Sequence, residues 1–109
     1  MKFSVGSGDT ALNYEVKKLG DDYLVMLTGG DIHIGCTAIG DDGRIVSYTP
    51  LHHRDDTLAI PLAQKISQEH HCICTVVAGF HLDNISKEQI FEVVENSKKG
   101  IKQLLENIN

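Results

Sequence analysis

The sequence predicts an α+β fold: a mostly antiparallel five-stranded sheet with two helices packed on one face, in a two-layer sandwich. Three observations carry that assignment. Four short segments with strand-like alternation fill the first half, turn residues separate them, and the second half takes up helical period on either side of one continuous apolar run. A length of 109 residues suits one core, so positions 1–109 read as a single domain.

Residues 11–18, ALNYEVKK, place Leu12, Tyr14 and Val16 on one face of a half-buried strand. Gly20-Asp21-Asp22 supplies turn chemistry before a second strand, YLVML, which ends at Gly29-Gly30. In IHIGCTAI, Ile32, Ile34, Cys36 and Ala38 alternate with His33, Gly35 and Thr37, and Asp41-Asp42-Gly43 then signals a hairpin into RIVSY. These four strands read as an antiparallel meander. The segment TLAIPLAQKISQEH spaces Leu58, Leu62 and Ile66 four apart, with Asp55 or Asp56 as the cap and Pro61 near the first turn. The apolar strand CICTVVAGF follows. Ser86-Lys87-Glu88-Gln89 is a capping box with Ile85 and Ile90 as a hydrophobic staple. Beyond it Ile90, Val94, Ile101, Leu104 and Ile108 form the expected core stripe of a last helix. The order is β-β-β-β-α-β-α. Two helices cover one face only, while YLVML and CICTVVAG are apolar on both, so a homo-oligomer is expected.

Ten Lys+Arg against fifteen Asp+Glu give a net charge of −5, the wrong sign for a phosphate-tracking surface, so nucleic acid is excluded as a partner. No stretch has the roughly 20 apolar residues of a membrane span, and the N-terminus has no secretory pattern. Cys36, Cys72 and Cys74 read as reduced thiols packed as small hydrophobes, which fits a cytoplasmic protein.

The six histidines are the unusual feature. In the expected topology His70 and His71 end the first helix, where a cationic ring is favoured. His33, His52, His53 and His81 fall instead at the other end of the sheet, together with Gly29, Gly30, Gly35, Arg54, Asp55, Asp56 and Asp83. A loop histidine taken singly is most often a solvated or capping side chain. Convergence of three segments is what marks a site. Two chemistries suit it. Glycines, two helix N-termini, Arg54 and protonated histidines would hold an anion, although Asp55, Asp56 and Asp83 as caps would oppose it. Alternatively a divalent metal is bound by His33, His81 and one of His52 and His53, with Asp55 or Asp83 as oxygen ligand. The sequence leaves open which of the doublet faces inward, and His53 stands for it in both readings. A nucleophile is not evident: Ser47 and Thr49 lack an elbow motif, and no P-loop or dinucleotide fingerprint is present.

Three blocks, GGDIHIG (29–35), HHRDDTLA (52–59) and AGFHLDNIS (78–86), resemble those of the small accessory subunit associated with gallate decarboxylase, a prenylated-flavin chaperone-like group. The resemblance runs from about residue 12 to 105 in element order. It implies a small non-catalytic protein that assists assembly or cofactor loading of a UbiD-type decarboxylase large subunit. By position it carries over Gly29, Gly30, His33 and Gly35, Asp55 or Asp56, and His81 and Asp83. Joined to Arg54 and His53, these form the expected pocket for a phosphorylated flavin, FMN or prenylated FMN. The alternative is a metal-dependent enzyme or metal-binding protein using His33, His53 and His81.

Overall fold

The computed structural model describes residues 1–108. The chain runs β1 (Lys2–Val5), a single 3-10 turn (Gly8–Thr10), β2 (Leu12–Leu19), β3 (Asp22–Gly30), β4 (Cys36–Asp41), β5 (Arg44–Tyr48), α1 (Asp56–His70), β6 (Ile73–His81) and α2 (Lys87–Asn107). It is an α+β sandwich with a mostly antiparallel sheet and both helices on one face. The sheet has six strands, however, in the order β1-β2-β3-β6-β4-β5. The additional strand is β1, whose Phe3 and Val5 pair with Tyr14 and Leu12. Four residues are too few to show a period, which is why the sequence count stops at five.

The expected meander is also corrected. β3 and β4 do not pair, because β6 lies between them, parallel to β3 and antiparallel to β4. The composition of β6 explains the placement. Cys74, Val76 and Ala78 are fully buried under the helices, and Thr75 and Val77 are partly buried on the reverse face. A strand apolar on both sides belongs in the middle of a sheet. The chain between β3 and β4 must therefore pass over the end of β6. Asp31 N–H donates to His81 O at 2.9 Å and Gly35 N–H to Ala78 O at 2.8 Å, so this crossing is bonded to the strand beneath it.

α1 lies over β4 and β6, with Leu58, Ala59, Leu62, Ala63 and Ile66 turned inward. Pro61 stands inside the helix, a turn deeper than expected, on its exposed side. α2 lies over β1 and β2, and its buried face differs from the expected stripe. Val93, Asn96, Ser97, Gly100 and Leu104 are buried, whereas Ile90 and Val94 are 49% and 37% exposed. The small residues decide this rotation. A Cβ at Gly100 would overlap the Tyr14 ring, so only glycine lets the helix close over that buried phenol. Asn96 Nδ2 donates to Thr10 O at 3.0 Å and secures the same face. Among the described residues no helix is long and apolar enough to cross a membrane.

The three cysteines are free and buried. Burial pushes the Cys74 thiol from 9.0 up to about 12, with neighbouring Cys72 adding to the effect. The unfolded chain ionises this thiol first, so the native state is penalised as pH rises. Stability is expected to be level below about pH 9 and to fall between pH 9 and 12, and Cys74→Ala should flatten that decline. Urea unfolding across the alkaline range measures it.

Candidate functional site

The parallel pairing of β3 and β6 sets their C-terminal ends side by side, with Gly29 opposite Phe80 and Gly30 opposite His81. Over these ends pass the crossing segment 31–35, the loop that leads from β5 into α1, and the loop that leads from β6 into α2. Asp55 is the hub. It is only 7% exposed, and it stands at the start of α1 without a side-chain capping bond. Of the two candidate caps, Asp55 takes the N-cap position, but its side chain makes no capping bond: the carboxylate turns into the sheet end instead. Oδ1 accepts the Phe80 N–H at 3.1 Å, and Oδ2 meets His33 Nε2 at 3.2 Å and His53 Nδ1 at 3.7 Å. A Cβ at Gly35 would overlap this carboxylate. Glycine at 35 therefore makes room for the acid.

Each histidine is held from behind. His33 Nδ1 donates to the Asp31 carbonyl at 2.9 Å. His53 N–H donates to Pro50 O at 3.2 Å, closing a turn in which His52 takes φ of 66°. That turn points His53 toward Asp55, while His52 is exposed at the border of the same cleft. The His33 and His53 rings lie 5.1 Å apart at 34°. His81 pairs instead with Asp83 at 2.8 Å, and these two group with Asp31 in a fully exposed cluster. Asp83 does not cap α2 either; Ser86 does, in a capping box with Gln89. His70 and His71 sit at the opposite end, where His71 is the left-handed C-cap of α1 and contacts Asp42 at 3.0 Å.

These groups border a cleft of about 380 Å³. His33, His52, His53, Arg54, Asp55, Thr57 and His81 form its polar side. Leu58, Phe80, Ile85, Ile90, Val93 and Val94 form its apolar side. Arg54 is 85% exposed, with Nε 3.8 Å from Asp56 Oδ1. Gly29, Gly30 and Gly35 are not among the lining residues. Gly29 packs under Phe80 and the Ala11 carbonyl, and Gly30, at φ of 59°, packs on the His81 carbonyl. In this structure the three glycines let neighbouring groups approach closely.

Sequence reasoning missed Gly79, where a Cβ would overlap the His33 carbonyl, and it missed the whole apolar wall. The signal for the wall was present in the Ile85/Ile90 staple and in Val94, which were assigned to the core.

Residues 6–109 match the family described as the prenylated flavin chaperone LpdD-like domain. The chain belongs to that family. Protein LpdD of Lactiplantibacillus plantarum is 29% identical to it over 79 residues, which make up 66% of this chain and 58% of that protein. The chain thus spans little more than half the length of this relative. A chain of a chaperone complex for yeast 20S proteasome assembly superposes with a TM-score of 0.62, covering 97% of this chain and 91% of its own length. At 16% identity that likeness concerns the fold alone.

The close approaches around Asp55 can be tested directly. Gly35→Ala displaces the carboxylate and Gly79→Ala lifts the crossing segment, so each should lower stability by about 1–3 kcal/mol. Each should also broaden the His33 and His53 ring resonances in NMR spectra, whereas His71 signals stay unchanged.

Proposed function

We propose that this chain is a non-catalytic accessory protein that holds a phosphorylated flavin, FMN or prenylated FMN, in the cleft and passes it to a UbiD-type decarboxylase. The observation that carries this reading is the two-sided cleft. An apolar wall from α2 and β6 suits the flat ring system, and Arg54 with the ring N–H groups of His53 and His81 suits the phosphate. Membership of a prenylated flavin chaperone family supports the same cofactor class. A volume of 380 Å³ is at the lower end of small-molecule sites, so a flavin seated there keeps part of its surface exposed. Partial cover suits a protein that must release its cargo. Free, buried thiols support the reading of a protein that works in a reducing compartment such as the cytoplasm.

The proposed role implies a contact with the decarboxylase at the cleft, and the uncovered sheet face supports a second contact, between copies. The second falls on the uncovered sheet face, where Leu24, Met26, Thr37, Ile39, Val46, Tyr48, Thr75 and Val77 share one side by register. Val46 and Tyr48 are 71% and 72% exposed there, which favours a homo-oligomer joined through this face.

Fluorescence titration with FMN and with prenylated FMN tests the cargo. Saturable one-to-one binding is expected, weakened about tenfold in Arg54→Ala and more strongly in Val94→Asp. Failure of both flavins to bind the folded protein removes the reading. Sedimentation velocity tests the assembly. The wild type should sediment as an oligomer and Tyr48→Asp as a smaller species, and a monomeric wild type removes that part alone.

A further inference from the structure

We propose that His33, His53 and Asp55 form a binding site for a divalent first-row transition metal ion, with coordination positions left open toward the cleft. This goes beyond the flavin reading and does not rest on it. The argument begins at the Asp31 carbonyl, which can only accept. Its 2.9 Å contact therefore places a proton on His33 Nδ1. The neutral ring then presents the lone pair of Nε2, which lies 3.2 Å from Asp55 Oδ2. Two lone pairs at that distance repel, so a cation belongs between them, either a second ring proton or a metal ion.

His53 decides between the two. Its Nδ1 approaches the same carboxylate oxygen at 3.7 Å, and the three donor atoms all lie within 4.8 Å of one another. A second proton on His33 answers only its contact with Asp55, whereas one metal ion would engage all three donor atoms. Metal–ligand bonds of about 2.0–2.2 Å separate the ligands of a tetrahedral ion by about 3.3–3.6 Å, close to the observed spacings. Two imidazoles and one carboxylate suit zinc-like ions rather than magnesium or calcium.

The supporting shell is in place as well. The Asp31 carbonyl orients His33, the Phe80 N–H holds the other oxygen of Asp55, and the bond to Pro50 fixes the His53 backbone. Metal-binding histidines characteristically donate their second ring N–H to such a group. His81 is outside this set, since its ring is engaged by Asp83. The third ligand is Asp55, in place of the third histidine that the sequence suggests.

The test uses the full chain stripped with a chelator, then titrated with Zn²⁺ by calorimetry and with Co²⁺ by visible absorption. One equivalent per chain should bind, with the d–d bands of a low-coordinate cobalt site. Affinity should fall more than about tenfold in His33→Ala, His53→Ala and Asp55→Asn. The asparagine keeps an oxygen for the Phe80 N–H, and His53 is partly exposed, so these two variants are expected to melt close to the wild type. His81→Ala and His71→Ala should bind as the wild type does. Absence of saturable binding overturns the proposal, as does binding that survives His33→Ala and His53→Ala or that is lost equally in His71→Ala.

Discussion

The position of β6 between β3 and β4 is the constraint on which the rest of the molecule depends. A strand with Cys74, Val76 and Ala78 buried on one side and Thr75 and Val77 half-buried on the other has no stable place at an edge. Once it occupies the middle, the link from β3 to β4 has to cross its end, and the crossing carries His33 with it. Parallel pairing with β3 also directs the end of β6 toward the starts of both helices. Phe80 is then positioned to offer its N–H to Asp55, and α2 is positioned to wall the cleft.

A carboxylate that is 7% exposed has lost most of its hydration and needs compensation from protein groups. Asp55 finds it in one backbone donor and two imidazoles. The acid in turn ties the start of α1 to the end of β6 and to the crossing segment, so three pieces of chain remote in sequence share one charged centre. Gly35 and Gly79 are the conditions for that meeting, since side chains there would overlap the Asp55 carboxylate and the His33 carbonyl. The glycines beside the site thus act through what they leave empty.

Much of this was legible in the sequence. The alternation in ALNYEVKK, the Asp-Asp-Gly turn and the capping box at Ser86 come from local pattern, and the gathering of His33, His53 and His81 at one sheet end follows from the direction each strand runs. Strand order did not, because pairing of β6 with β3 is a long-range choice that no window of sequence encodes. The rotation of α2 was hidden for a different reason. Ile90, Val93 and Val94 are all apolar, so hydropathy does not say which of them faces the sheet. Ser97 and Gly100 decide it by size, a property that a hydrophobic stripe does not weigh. Asp55 was legible as a helix-start residue and illegible as a buried one, because capping is the usual reason for aspartate there.

The same rotation that gives α2 its fit over Tyr14 leaves apolar side chains in the cleft, and the sheet leaves others on its far side. The two apolar surfaces lie on opposite sides of one sheet. Val46 and Tyr48 face away from the helices, whereas Ile90 and Val94 border the histidines. Because the sheet separates them, covering the far face does not block the cleft. Their chemistry differs too. Over β4, β5 and β6 the far face joins apolar residues with threonines at Thr37, Ile39, Val46, Tyr48, Thr75 and Val77, with Glu15 and Lys17 of β2 on the same side, which suits an apolar contact with a charged border. The cleft sets its apolar wall against Arg54, Asp55 and four histidines, which suits a ligand with one apolar and one charged end. Under the proposed reading, assembly and binding would take opposite sides of the sheet and would not compete.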